Sequence, residues 1–256
     1  MQADRKEETE ESNDDGLGIE VLESRAQQHV APPLMEQIGL CHPFSLSIYG
    51  SSGSGKTVLA INILKDPRKY GGFFDEIHVF GLTARSDDTW KHIALKREFI
   101  HDDFDKLVPD LRALLQRQRR DVEANGILAC KKVCIVFEDV TTNIKLLNSS
   151  AYHQAYVQNR HNGVTSIAMC HKFHAQNRTC RLNSGHSMIF PLDDSDFEQV
   201  VKETCSPGLS RRDYAEIVAE CLTPDEDAKH PFMWLNNKVD PAIRIRKTLR
   251  HIIRVT

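Results

Sequence analysis

Gly50-Ser51-Ser52-Gly53-Ser54-Gly55-Lys56-Thr57 have the types and spacing to hold the phosphates of a nucleotide. The glycines let the backbone curl until its N–H groups converge on phosphate oxygens. A helix starting where the loop ends adds its positive N-terminal end. Lys56 is expected to reach the β- and γ-phosphates, and to face solvent when no ligand is bound. The Thr57 hydroxyl is expected to ligate Mg²⁺. A second group of chemistry-bearing residues lies downstream, where the apolar run Val133-Cys134-Ile135-Val136-Phe137 ends in Glu138-Asp139. An apolar strand delivering carboxylates at its end, after a P-loop, is the Walker B arrangement. Glu138 is expected to hold Mg²⁺ through water, and Asp139 to polarise the attacking water as a general base. Two adjacent acids favour hydrolysis that drives mechanical work over phosphoryl transfer to a small molecule.

These residues need strands that end, and helices that begin, in the right places. Ser45–Tyr49 alternates polar and apolar like a strand, and Val58–Leu64 continues the P-loop as a helix. Glu76–Leu82 reads as a second strand. Asp103–Glu123 reads as a long helix with Leu107, Leu111, Leu114 and Leu115 at helical spacing. Val133–Phe137 is wholly apolar, as in a strand buried on both faces. Val164–Met169 reads as another buried strand, ending near His171. Ser187–Phe190 and Phe232–Leu235 read as strands, and Ser195–Thr204 and Ser210–Leu222 as helices. The fold class is therefore α/β, a mostly parallel central sheet flanked by helices.

The chain has 256 residues, 40% of them apolar, which suits one α/β domain with a tail. Its net charge of −3 conceals an asymmetry. Residues 1–30 hold nine acids and three bases, a balance of −6, and the remainder holds 27 acids and 30 bases, or +3. Near-neutrality thus does not exclude a nucleic-acid partner. Residues 1–32 are expected to form an acidic disordered tail. Pro32 and Pro33 punctuate the change, and residues 33–256 are expected to form a P-loop ATPase domain with a basic C-terminal segment. Seven scattered cysteines suggest reduced intracellular thiols. Cys170, His171, His174 and Cys180 form a conceivable metal cluster, but their spacing matches no common zinc pattern. The N-terminus has no apolar stretch of the kind a signal peptide needs, and no run approaches membrane-spanning length. The expected location is intracellular, not secreted.

Positive charge is concentrated in two places, Arg112–Arg120 and the acid-free stretch Pro241–Thr256 with Arg244, Arg246, Lys247, Arg250 and Arg254. The second lies after the last clear core strand, where it need not pack, and is the expected grip on a phosphate backbone. The alternative is that Ile243 and Ile245 add an edge strand.

The P-loop, the acidic pair, the string Asn159-Arg160-His161-Asn162-Gly163-Val164-Thr165-Ser166-Ile167, and Arg181-Leu182-Asn183 before an apolar strand follow in this order. Together they resemble the poxvirus-type genome-packaging ATPases of large double-stranded DNA viruses, members of the FtsK–HerA superfamily of ring-forming DNA pumps. The resemblance covers roughly residues 40–195. It implies a RecA-like fold in which a further strand, here the one ending at Met169, lies between the P-loop strand and the Walker B strand. It implies ATP and Mg²⁺ as cofactors, and a homo-oligomeric ring acting on double-stranded DNA. Viral capsid or portal-vertex proteins are implied as partners, at a viral assembly site or in the virion. The polar residue ending the inserted strand senses the γ-phosphate; the family usually has glutamine there, and this chain offers His171. The family usually begins the acidic pair with aspartate, and here Glu138 comes first. An arginine supplied across the subunit boundary is implied too, with Arg160 and Arg181 as candidates.

Other readings of the sequence are possible. Asn237-Lys238-Val239-Asp240 fits N-K-x-D, the guanine-reading motif of GTPases, but Asp139 is followed by Val140, Thr141 and Thr142 and so lacks D-x-x-G. A small-molecule kinase needs a lid, and no lid signature is present. A scaffold with a degenerate P-loop is disfavoured by the intact Lys56 and Thr57. Another FtsK–HerA-type translocase or helicase shares the same motor core.

Overall fold

The structure is a computed structural model that describes residues 29–226 and 229–254; most of the expected acidic tail, residues 1–28, lies outside them. Six parallel strands carry the site: β1 (Ser45–Tyr49), β2 (Glu76–Phe80), β3 (Ile100–His101), β4 (Val133–Phe137), β5 (Val164–Cys170) and β6 (His186–Ile189). Three antiparallel strands extend the sheet: β7 (Met233–Asn236), β8 (Ile245–Lys247) and β9 (His251–Ile253). The order across the sheet is β3-β2-β4-β5-β1-β6-β7-β8-β9. β5 lies between the P-loop strand and the acid-bearing strand, where the sequence resemblance places it.

The apolar strands are buried on both faces because helices cover both. Val133, Ile135 and Phe137 enter one core, with α3 (Leu107–Asn125), α5 (Ser150–Val157), α7 (Asp194–Thr204) and α8 (Arg211–Leu222). Cys134 and Val136 enter the other, with α1 (Pro33–Gln37), α2 (Lys56–Lys65) and Trp90. This is the period-two alternation of a strand with two apolar sides. Each fully buried Val, Ile or Leu contributes about 1.5–3 kcal/mol relative to exposure. Hydrogen bonds fix α5 on the sheet: Tyr156 Oη donates to Leu46 O (3.0 Å) and Ser166 Oγ to Ala155 O (2.7 Å). Helix starts follow capping chemistry. Ser149 caps α5, Asp193 caps α7 and Ser210 caps α8, each side chain accepting an N–H from the first turn. Asn177 likewise caps α6 (Arg178–Asn183).

The structure corrects several sequence expectations. The long helix starts at Leu107 rather than Asp103, because Asp103–Lys106 form a turn in which the Asp103 side chain accepts from Asp105 N. The C-terminal basic stretch does not stand apart from the core. It forms β8 and β9, with Ile245 fully buried, so the strand alternative is realised from Ile245 onward, while Ile243 ends a 3-10 turn and is exposed. Three of its five cations are engaged as well, while Arg250 and Arg254 are exposed. Arg244 Nε donates to Ser206 Oγ (3.1 Å) and its Nη2 to Thr204 O; Arg246 lies over the Trp234 ring (5.2 Å); Lys247 pairs with Asp225.

Candidate active site

Parallel strands deliver their C-terminal ends to one edge of the sheet, the usual place for a ligand in an α/β fold. At that edge the P-loop follows β1, Glu138-Asp139 follow β4 and His171 follows β5. The register brings all three together, pairing Tyr49 with Cys170 and Phe137 with Ala168. The loop residues Ser52, Gly53, Gly55, Lys56 and Thr57 then share a cavity of about 390 Å³ with Glu138, Asp139 and His171.

Two P-loop glycines have positive φ, 74° at Gly53 and 100° at Gly55, a region that side chains disfavour. Gly50 is required for another reason: a Cβ there would stand 2.6 Å from Ser54 Oγ and 2.8 Å from Phe190 Cβ. Helix α2 begins directly at Lys56. Lys56 does not face solvent as expected, being only 8% exposed. Its ammonium donates to Gly50 O (2.8 Å) and Ser51 O (2.9 Å), and approaches His171 Nδ1 at 3.3 Å. The loop's own carbonyls thus hold the lysine, and burial lowers its pKa while the Asp139 charge opposes that shift.

His171 bridges the two halves of the site. An ammonium only donates, so His171 Nδ1 accepts from Lys56; the ring proton then sits on Nε2, 2.8 Å from Asp139 Oδ1. Asp139 reaches this position with φ 45°, in the left-handed region, which costs a non-glycine residue roughly 1–2 kcal/mol. Glu138 lines the same cavity but is held by protein donors. Its Oε1 accepts from Trp90 Nε1 (2.8 Å) and its Oε2 from Thr83 Oγ1 (3.4 Å). Burial raises its pKa to about 6; the Asp87 charge adds to the rise, and the Trp90 and Thr83 hydrogen bonds oppose it. Gly81 makes room for it, since a Cβ there would lie 2.7 Å from Glu138 Cβ. Thr83, Asp87 and Trp90 had no signal in the sequence: they lie on the irregular stretch after β2, which folds back over the cavity.

These residues fit a triphosphate and Mg²⁺. Ser54 Oγ is buried with no hydrogen-bond partner among the described residues, a donor left for an anion in the loop. Thr57, Glu138 and Asp139 supply the hard oxygen ligands that Mg²⁺ takes, in one cavity.

The two candidate arginines are elsewhere. Arg181 is consumed within its own chain: Nε and Nη2 donate to Glu203 (3.0 and 2.8 Å), Nη1 to His174 O (3.2 Å) and to Gln176 O. Its guanidinium also stacks over Phe173 (5.1 Å). Arg160 is exposed, in the turn before β5, at the edge of the sheet opposite the P-loop. Asn237-Lys238-Val239-Asp240 lie at that same far edge, because β7 is antiparallel and its Asn236 pairs with His186 at the start of β6. They cannot read a base whose phosphates sit on the P-loop, so the GTPase reading fails on geometry. The conceivable metal cluster is also not formed. Among the described residues no group of His, Cys, Asp or Glu is arranged to hold a metal, and His174 pairs with Asp196 (2.6 Å). Among the described residues no helix is long and apolar enough to cross a membrane.

Comparison with known proteins agrees with this geometry. B204, the DNA-packaging ATPase from Sulfolobus turreted icosahedral virus, is similar in fold at TM-score 0.57 and 13% identity, over 80% of this chain and 97% of that one. The genome packaging NTPase B204 from Sulfolobus turreted icosahedral virus 2, in complex with ATP-γS, is similar at TM-score 0.53 and 14% identity, over 83% and 98%. EssC (ATPases 2 and 3) from Geobacillus thermodenitrificans is similar at TM-score 0.55 and 12% identity, over 83% of this chain and 40% of that one. At such identities the likeness concerns the fold, a P-loop NTPase with a mostly parallel sheet and flanking helices. No curated protein matches the chain in sequence. Residues 25–189 match the NB-ARC domain model, a P-loop family other than the packaging ATPases that the sequence motifs resemble. The chain belongs to the NB-ARC domain family of P-loop NTPases.

Proposed function

We propose that the chain is an ATP-hydrolysing motor that works as a homo-oligomeric ring and translocates double-stranded viral DNA into a capsid. The observation that carries the reading is the insertion of β5 between the P-loop strand and the acid-bearing strand, with His171 at its tip touching both Lys56 and Asp139. A polar group so placed couples the state of the phosphates to a strand that starts at Val164, just after the turn that carries Arg160. The fold likeness to two viral packaging ATPases and the Arg-His string before β5 support the cargo assignment.

In this reading the P-loop N–H groups, Lys56 and the Ser54 hydroxyl bind the triphosphate. Thr57 and Glu138 hold Mg²⁺, which when bound offsets phosphate charge. Asp139 accepts the proton of the attacking water. His171 holds Asp139 in place before the nucleotide arrives and donates toward the γ-phosphate afterwards. Arg160 of one copy serves the site of the next; Arg181 has its donors occupied by Glu203, His174 and Gln176. The motor acts with capsid or portal-vertex proteins at the viral assembly site or in the virion.

Displacement of a third strand from a triplex end tests movement directly. ATP-dependent displacement by wild type and none by Lys56→Ala is expected. Hydrolysis without displacement at any protein concentration would remove the translocase reading.

A further inference from the structure

A second cavity, of about 490 Å³, opens at the sheet edge opposite the P-loop, where β1, β5 and β6 begin. Arg160, Lys238, His29 and His186 line it together with the neutral polar residues Ser45 and Asn159, and among the described residues no aspartate or glutamate does. Arg160 and Lys238 have no acidic side-chain partner among the described residues. Their charges nevertheless fall within reach of each other. Burial and then the Arg160 charge lower the Lys238 pKa, and His29 is lowered by burial, Arg160 and Lys238 in that order. The Lys238 arm passes over Gly185, where an added Cβ would lie 3.0 Å from Lys238 Cε. His186 is 2% exposed, and its Nδ1 has no hydrogen-bond partner among the described residues.

Like charges gathered in a partly enclosed space without a counter-charge repel, and a bound anion relieves that repulsion. A guanidinium fork beside a compact ammonium suits a group with several anionic oxygens. We propose that this cavity is a second anion site, which takes a phosphoryl group between the Arg160 guanidinium and the Lys238 ammonium. Lys238 is thereby assigned a role that its N-K-x-D setting does not explain. The phosphoryl group cannot belong to the nucleotide on the chain's own P-loop, because the length of β1, roughly 16 Å, separates the two edges. It comes either from a free phosphate compound or from a nucleotide held by a second copy of the chain. The site itself requires neither source in particular.

Titration of the full-length chain with inorganic phosphate, followed through histidine ring resonances by NMR, separates the two anion sites. His29 and His186 report the second cavity and His171 reports the P-loop. Saturable movement of His29 and His186 is expected in wild type and in Lys56→Ala. Affinity should fall about tenfold or more in Lys238→Ala, and saturation should vanish in the Arg160→Ala/Lys238→Ala double variant while the His171 response remains. A second arm uses a non-hydrolysable ATP analogue with Mg²⁺ at rising chain concentration. Movement with phosphate at low chain concentration assigns the free source; movement only with the analogue, and only where copies associate, assigns the neighbouring copy. The proposal is overturned by no movement in either arm. It is equally overturned by movement that persists in a double variant whose thermal unfolding matches wild type.

Discussion

Replacing Trp90 by phenylalanine isolates the bond that holds Glu138. In the folded chain, Trp90 Nε1 donates to Glu138 Oε1 at 2.8 Å, and Glu138 titrates at about 6 rather than 4.5 because burial penalises its charged form. The folded chain therefore keeps a proton that the unfolded chain releases. The contribution of this group to stability is full below pH 4.5 and is lost as pH rises through about 6. At pH 8 the acceptor is a carboxylate, and losing its donor costs about 1.5–3 kcal/mol; at pH 5 it is mostly the neutral acid, and the loss is about 0.5–1.5 kcal/mol. The difference of roughly 1–1.5 kcal/mol is about one pKa unit, so Glu138 moves from about 6 toward about 7 in Trp90→Phe. Any packing cost of the smaller ring is the same at both pH values and cancels. Urea unfolding in magnesium-free buffer at pH 5 and pH 8 measures the difference, and ¹³C NMR of the carboxyl carbon measures the midpoint. Equal destabilisation at both pH values, with an unmoved midpoint, would refute the claim that Trp90 stabilises the charged Glu138.

Asp139→Asn is expected to bind ATP but hydrolyse it at least a hundredfold more slowly, as for loss of a general base, whereas Glu138→Gln weakens magnesium-dependent binding; calorimetry beside turnover decides, and equal loss of binding in both rejects the division. Arg181→Ala leaves Glu203 with only Gln199 and the more distant Arg178, and is expected to lower stability by about 1.5–3 kcal/mol in denaturant unfolding. Arg160→Ala should leave stability within about 0.5 kcal/mol and slow turnover, and mixing it with Lys56→Ala should partly restore activity; no rescue in mixed rings shown to form argues against action in trans. His42 and His186, with pKa values lowered to about 3 first by burial, are neutral in the folded chain. Their contribution is complete above about pH 6.5 and is lost as pH falls toward 3, so each should cost about 2 kcal/mol by pH 5. Ring signals of these two that titrate like exposed histidines would contradict it.

The parts of the site that were legible in the sequence are those whose chemistry is local. The P-loop declares itself through adjacent residues, and Glu138-Asp139 through an apolar run that ends abruptly in acids. β5 was legible as a strand from its composition, but its place between β1 and β4 followed only from a family resemblance, because composition carries no strand order. Trp90 and Thr83 were not legible: they contact Glu138 across 48 and 55 residues of chain, and nothing in their neighbourhood marks them. Lys56 was misread as solvent-facing because its partners, the carbonyls of Gly50 and Ser51, are backbone groups. β8 and β9 were obscured by their arginines. In the fold Arg246 of β8 lies over the Trp234 ring, and Arg244, just before β8, donates to Thr204 O at the end of α7.

The proposed motor is tested most directly by ATP hydrolysis of the purified full-length chain, measured with and without double-stranded DNA of mixed sequence. Turnover that requires Mg²⁺, rises severalfold with DNA, loses that stimulation as salt increases and vanishes in Lys56→Ala is the expected result. Turnover that is absent, or indifferent to DNA at every salt concentration, would contradict a DNA-translocating ATPase.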